Sequence, residues 1–388
     1  MRTFIQRLVC LLFLPGIYFA CGQNMVSENN SDKKTTLEIE FSKNVSLDIS
    51  NGFPKLQGNP LFYSDKANSY FYIQTSDGIG TFDLKKGGEP VSYLKVSKIE
   101  GLRGQSSTGQ NHFIPNNRDG FLYFDRRNEE IFVIENSQVI RSQKLARLIQ
   151  EAPKPLSGAL KFAIKSDKIV SVLNMLEVYG KPPFQYQKLE KSLGLFSLNL
   201  QQFEQKLPLP KEYLNEKVNA YDLLISMDYN PETKDYIINF PILDDLIITK
   251  DFESIKRLKA TPKNQFVSLE NRKGVNLGEW KKEYYTENSF FTVYYDPFRK
   301  LYIRHYRQGL SEADYDVVTS NSYKMFHPKN KNFLLFMDEE GNQLHTMDVS
   351  EFNHLYIHFG KEGMYILNDT ELEEEDSLTF SLFSIVLD

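Results

Sequence analysis

The stretch from residue 61 to 86, LFYSDKANSYFYIQTSDGIGTFDLKK, sets the terms for everything that follows. Three apolar or aromatic runs (Leu61 to Tyr63, Tyr70 to Ile73, Thr81 to Leu84) are separated by polar turns at Ser64 to Asn68 and Ser76 to Gly78. Short β-prone runs bounded by Gly, Asp, Asn and Ser are the pattern of antiparallel strands joined by tight turns. The aromatic middle run then recurs along the chain. Its copies are Leu122-Tyr123-Phe124, Val170-Ser171-Val172, Tyr236-Ile237-Ile238, Leu301-Tyr302-Ile303 and Met364-Tyr365-Ile366, roughly 50 to 65 residues apart.

Each copy has a short run and a turn before it, as in Phe113-Ile114-Pro115-Asn116-Asn117 or Val293-Tyr294-Tyr295-Asp296-Pro297, and a third run after it. A fourth follows in most copies, such as Val139 to Ser142. Four antiparallel strands per repeat of this length make the blade of a propeller. A solenoid of the same period would need helices, and only residues 143–150 offer an amphipathic helical pattern. The 22 Tyr and 29 Phe among 388 residues suit strands. The last copy ends the chain one strand short, whereas residues 36–49 form a run with no place in the first copy. Pairing the two termini removes an edge that would otherwise invite aggregation; an independent N-terminal hairpin would leave that blade incomplete. The expected fold is therefore all-β, a six-bladed β-propeller whose last blade is closed by the N-terminal strand, with seven blades as the alternative.

Residues 1–21 read as an export signal: Arg2 and Arg7 flank the start of the apolar core Leu8 to Ala20, and small Ala20 precedes Cys21. That core is too short to span roughly 30 Å of hydrocarbon as a helix. Tyr18-Phe19-Ala20-Cys21 resembles a bacterial lipobox, with Tyr where Leu is usual, and makes Cys21 the expected lipidation site. The other reading is an ordinary secretory signal with an incidental Cys. Cys10 lies inside the segment to be removed, so the mature chain has no partner for an internal disulfide. Residues 22–36 are polar and poor in large apolar side chains, the composition of a flexible tether. Residues 37–388 then form a single propeller domain. A net charge of -5 with interspersed signs and no long Lys/Arg block argues against a nucleic-acid partner.

A signal ending in Cys, a polar tether, Gly52-Phe53-Pro54, six blade cadences and the Gly-rich segment Glu100-Gly101-Leu102-Arg103-Gly104 together resemble an uncharacterised family of Gram-negative lipoproteins, common in Bacteroidota-type bacteria. The resemblance covers nearly the whole chain. It implies a TolB-like six-bladed propeller and an envelope address at the outer membrane or cell surface, with the periplasmic side as the other possibility; it implies no established activity.

Chemical motifs are sparse. No G-x-S-x-G elbow occurs, and the only Cys left after processing is the lipidated one. The segment GLRGQSSTG (Gly101 to Gly109) lacks the Gly-Lys-Ser/Thr ending of a phosphate cradle and reads as an inter-blade loop. His112, His305, His327, His345, His354 and His358 show no ligand spacing, and His354 and His358 would stand roughly 13 Å apart along a strand. The acidic run Glu371 to Asp376 lacks the pattern of a calcium loop. No cofactor and no metal site is expected.

Loop lengths carry the functional signal. In an up-and-down blade, the connection between strands two and three and the link to the next blade leave on one face, and every long insertion falls there: 97–111, 180–192, 259–288, 308–322 and 368–377. Long loops on a rigid scaffold are where binding residues gather. The expected ligand-binding rim comprises Arg103, Tyr186, Trp280, Tyr284, Tyr285, Arg307 and Tyr315. These aromatics either pack down or meet a partner, and the sequence leaves both open. The leading reading is a lipid-anchored envelope protein that binds or scaffolds a glycan or protein ligand without catalysis; the alternative is an envelope hydrolase or lyase with its site at the channel mouth.

Overall fold

The computed structural model describes residues 36–50, 61–75, 77–102, 112–125, 130–144, 163–165, 168–172, 176–179, 185–188, 191–197, 202–214, 218, 222, 224–262, 277–316, 329–368 and 376–388. Their regular secondary structure is predominantly β. After strand β1 (Leu37–Asp48), a first sheet runs through β2 (Leu61–Ser64), β3 (Ser69–Gln74), β4 (Gly78–Asp83) and β5 (Ser92–Lys95). A second is built from β6 (His112–Asn117), β7 (Gly120–Asp125), β8 (Glu130–Glu135) and β9 (Gln138–Lys144). The third begins with β10 (Ala163–Lys165) and β11 (Lys168–Val172). It is then interrupted by a separate hairpin, β12 (Leu176–Tyr179) and β13 (Gln185–Lys188), before β14 (Lys191–Ser197) and β15 (Gln202–Pro208) complete it.

The fourth sheet comprises β16 (Ser226–Asn230), β17 (Asp235–Asn239), β18 (Asp245–Thr249) and β19 (Lys256–Lys259). Helix α1 (Leu277–Thr286) leads into the fifth: β20 (Ser289–Asp296), β21 (Leu301–Arg307), β22 (Asn332–Met337) and β23 (Gln343–Asp348), with the short helix α2 (Glu312–Asp316) between β21 and β22. The sixth holds β24 (Asn353–Gly360), β25 (Gly363–Leu367) and β26 (Ser377–Leu387), and β1 is its outermost strand. The β1 and β26 strands pair antiparallel from Leu37 opposite Leu387 to Asp48 opposite Ser377.

Each recurring cadence is the second strand of its sheet, and burial explains why it reads as a nearly continuous apolar run. On β3, Phe71 and Ile73 enter a core shared with the sixth sheet, while Tyr70 and Tyr72 enter one shared with the second. On β21, Ile303 faces the sixth sheet's core and Tyr302 the fourth's. A strand packed on both faces needs apolar side chains at odd and even positions alike. The turns after the first strands are built by Asx side chains: Asp65 Oδ1 accepts from the amides of Ala67 and Asn68 at 2.7 and 2.8 Å, and Asp296 Oδ1 from Phe298 and Arg299 at 2.9 and 3.3 Å.

The architecture corrects the expectation of six equivalent blades, and equally that of seven. Five four-stranded sheets are uninterrupted blades, and they follow one another around the propeller as fourth, fifth, sixth, first and second. The regular part of the propeller is thus five-bladed. The third copy is a different object, split by the β12–β13 hairpin; it is joined to the fourth sheet by a core that includes Val170, Leu193, Met227 and Tyr236. Sequence cadence marks a second strand but is blind to what connects it to the third, which is why the split copy passed for a blade. A second correction concerns helices. Of the helical pattern expected over 143–150, Gln143 and Lys144 end strand β9 and residues 145–150 lie outside the described residues, whereas the helices lie in segments expected to be plain loops, at α1 and α2.

A candidate functional site on the fifth sheet

The link that enters β20 carries α1 and the connection from β21 to β22 carries α2, and the residues there build a layered site. Helix α1 (LGEWKKEYYT) places Glu279 in its first turn, where a carboxylate complements the exposed amides. Its last turn is closed by Thr286 Oγ1 donating to the Lys282 carbonyl at 2.9 Å. Ser311 starts α2: its Oγ accepts from the Asp314 amide at 3.1 Å and donates to Asp314 Oδ2 at 2.7 Å, a capping arrangement. Lys282 Nζ reaches Glu312 at 3.0 Å across the two helices, and Lys329 Nζ reaches Asp314 at 2.9 Å. Exposed pairs of this kind are worth little individually.

The anchoring lies beneath. Arg307, the last residue of β21, is 1% exposed; its guanidinium stacks 4.0 Å from the centroid of the Tyr284 ring and donates a hydrogen bond to the Tyr284 carbonyl. Tyr285 is buried against Tyr284 (5.3 Å between ring centroids) and Tyr315 of α2 (6.2 Å). The Tyr285 carbonyl accepts from the Leu310 amide at 2.9 Å and from Asn330 Nδ2 at 3.2 Å. Asn330 Nδ2 also donates to the Gln308 carbonyl at 2.8 Å, and Asn332 Nδ2 to the Asn330 carbonyl at 3.0 Å.

Below this cap sits a pair of histidines from adjacent sheets. His305 of β21 is fully buried, with Nε2 3.0 Å from Asn332 Oδ1, and its ring lies 4.9 Å from that of His354 at the start of β24. Burial lowers the pKa of both imidazoles: His305 falls well below the ordinary histidine range, with neighbouring His354 and Arg307 adding to the effect and the Asn332 bond opposing it. His354 is pushed down to about 4, mainly by burial, against the pull of the Phe352 backbone and with the Arg307 charge in support. Both are therefore neutral at pH 7.

Arg304 occupies the opposite face of the same strand and is wholly buried. Nε donates to Asn239 Oδ1 at 2.8 Å; one terminal nitrogen donates to the carbonyls of Asp244 (2.9 Å) and Ala260 (2.8 Å), the other to Leu243 (2.6 Å) and Phe240 (3.4 Å). The guanidinium also stacks 3.3 Å from the Phe290 ring centroid. Burial lowers its pKa to about 9, so it still carries its charge at pH 7, spread over carbonyl dipoles.

Of the rim residues expected from sequence, Tyr284, Tyr285, Arg307 and Tyr315 come together here. Trp280 lies on the same helix, Tyr186 on β13 opposite Val178, and Arg103 and Cys21 fall outside the described residues. Tyr285 and Arg307 are packed down, while Tyr284 and Tyr315 are partly exposed. Sequence reasoning missed His305, His354 and Arg304. The signal available was the alternation of LYIRHYR, which sets His305 and Arg307 on one face of a buried strand and Arg304 on the other. Among the described residues no group of three His, Cys, Asp or Glu stands close enough to hold a metal ion. One further polar pair bridges the sixth and first sheets: His358 Nε2 lies 2.6 Å from Ser64 Oγ, which in turn meets Ser69 Oγ at 2.8 Å, and the imidazole stacks on Phe62.

No family model matches the chain, and no curated protein does. Solved structures do. A member of the DUF4221 family from Bacteroides vulgatus superposes with a TM-score of 0.66 at 14% identity, over 92% of this chain and 100% of that one. An exported protein described as putative, from Bacteroides fragilis, superposes with a TM-score of 0.51 at 9% identity, over 93% and 98%. At these identities the likeness is one of fold. This chain is thus a β-propeller, and its structural neighbours include Bacteroides proteins of unknown function.

Proposed function

We propose that this propeller is a non-catalytic binding module, held to the bacterial envelope by a lipid on Cys21, whose ligand meets the helical cap of the fifth sheet. The observation that carries the reading is that cap itself: α1 is tied to the end of one sheet by Arg307 and α2 packs on α1 through Tyr315, with Tyr284 and Tyr315 partly exposed. Aromatic rings with an adjacent cation suit either the faces of a sugar or an aromatic-rich protein segment. The pair of neutral imidazoles beneath supplies no base in contact with solvent, which favours capture over turnover. Membrane attachment would come from the acylated Cys21, with residues 22–36 as tether, at the outer membrane or cell surface; several acyl chains hold far more firmly than one.

Two measurements test it. Cys21→Ala should move the protein from the membrane to the soluble fraction, and unchanged detergent partitioning removes the anchor. The soluble chain from Ser31 onward, applied to glycan and peptide arrays, should bind at least one class saturably, and Tyr284→Ala with Tyr315→Ala should weaken that capture about tenfold or more while the fold survives. Capture indifferent to both rings would take the ligand elsewhere on the propeller.

A further inference from the structure

We propose that His305 and His354 are a proton-sensitive latch that holds the α1–α2 cap on the fifth sheet, closed while both imidazoles are neutral and released when they take up protons. The proposal stands whether or not the cap binds a ligand. It begins from hydrogen-bond polarity. Asn332 Nδ2 is committed as a donor to the Asn330 carbonyl, so its Oδ1 is the acceptor toward His305, and His305 Nε2 carries the hydrogen. The second nitrogen, Nδ1, is left as the lone-pair site where a proton must arrive, and it is buried with no hydrogen-bond partner among the described residues. A proton there creates a cation and a donor with nothing to receive it, and both are costly in a buried site.

The surroundings raise that cost. Arg307, two residues along β21 on the same face, is a permanent buried cation whose field opposes protonation of both imidazoles. On β20 the neighbour of His305 is the Phe291 ring, 5.5 Å away; on β22 it is the amide side chain of Asn332. At the start of β24 the His354 amide donates to the Phe352 carbonyl at 3.0 Å. The cap's own titratable groups are Glu279, Lys281, Lys282, buried Glu283, Tyr284 and Tyr285 on α1 and Glu312, Asp314, Tyr315 and Asp316 on α2, with Lys282 paired to Glu312 and Lys329 to Asp314 at its outer edge. Two added protons would thus stand beside one guanidinium between two packed sheets.

The same bonds route the strain to the cap. From His305 the connection runs through Asn332 Oδ1, the Asn330 carbonyl, Asn330 Nδ2 and the carbonyl of Tyr285 on α1, each link 3.0 to 3.2 Å. Arg307 forms a second tie, to the ring and carbonyl of Tyr284. Moving the imidazoles apart pulls on both ties. By contrast, the core between the fifth and sixth sheets below this level is built on Ile303, Phe336 and Ile366, and its one phenol, Tyr294, is pushed up by burial and stays neutral across this pH range. The cap can therefore open while the sheets stay joined.

Hydrogen exchange on the intact soluble chain at pH 7.5 and pH 5.0, corrected for intrinsic amide rates, reads this directly. The amides of α1 should exchange about thirtyfold or more faster at pH 5.0, as expected for one imidazole moved from about 4 in the closed state to the ordinary value of about 6.5 in the open one, while those of β3 and β17 keep their protection. His305→Gln, which keeps a donor toward Asn332, combined with His354→Phe, which keeps the ring contact, should remove the pH dependence. Equal exchange at both pH values, acceleration of β3 and β17 together with α1, or pH dependence persisting in the double variant would each overturn the latch. If the double variant fails to fold, proton NMR of the wild-type imidazoles serves instead: two should titrate together with cap opening, and six imidazoles titrating independently near the ordinary value would overturn it.

Discussion

Arg304 and Arg307 stand three residues apart on one strand and face opposite neighbours, and the contrast between them separates scaffold from site. Arg304 points toward the fourth sheet and spends its donors on four backbone carbonyls and one Asn side chain, all within the described core. Nothing in that cage changes charge near neutral pH, and every acceptor belongs to the propeller frame. Arg307 points toward the sixth sheet and is tied to a helix instead, through the Tyr284 ring and carbonyl, with two titratable imidazoles beside it. A buried arginine therefore has no single meaning: one fixes the β17–β18 connection to the fifth sheet, and the other fixes an added element to the frame.

The largest expected effect comes from breaking the static side. Arg304→Met should cost about 3 to 5 kcal/mol of unfolding free energy, because it removes charge-assisted hydrogen bonds and leaves several buried carbonyls without a donor. Urea denaturation followed by circular dichroism would read it, and a loss under about 1 kcal/mol would mean the cage relaxes around the shorter side chain.

Acid should act next, and on the other side. The pKa of His354 is about 4 in the folded chain, and that of His305 is also lowered, so the unfolded chain binds more protons than the folded one between that value and about 6.5. Stability from the pair is fully present above about pH 6.5 and is lost as pH falls toward 4. Thermal melts between pH 7.5 and 4.5 should show a falling midpoint that is flattened in the His305→Gln, His354→Phe double variant.

A smaller loss, about 1 to 3 kcal/mol, is expected for Arg307→Met, and it should be local. Smallest is Tyr315→Ala, whose partly exposed ring packs on Tyr285 at a tilted 6.2 Å; about 0.5 to 1.5 kcal/mol is the scale for an aromatic pair. A Tyr315 effect as large as that of Arg304 would erase the distinction between cap and frame.

How much of this was legible follows from the range of the signals. The aromatic cadence and the Asx turns are local, so the second strands and their turns could be read directly from residues such as Phe71, Tyr236 and Asp296. The β12–β13 hairpin could not, since Leu176 to Tyr179 and Gln185 to Lys188 lie in what a blade template treats as a loop. Helix α1 also escaped notice. Ten residues are marginal as an isolated helix, and this one is held by Arg307 of a strand that follows it. Loop length, a crude but positional signal, singled out Tyr284, Tyr285, Arg307 and Tyr315, which the fold brings together; their role in binding is the proposal above. His305 and His354 show no spacing along the chain that links them, and nothing local says which blades' histidines meet; the propeller joins these two across two sheets.

The most direct test compares the two arginines in one experiment. Urea unfolding of Arg304→Met and Arg307→Met at pH 7.5 would be followed by circular dichroism for the sheets and by fluorescence of Trp280, the single tryptophan, which lies on α1. The account predicts coincident transitions for Arg304→Met, displaced together to lower urea, and separated transitions for Arg307→Met, with fluorescence changing first. Coincident curves for both variants would contradict it, making the cap an inseparable part of the frame.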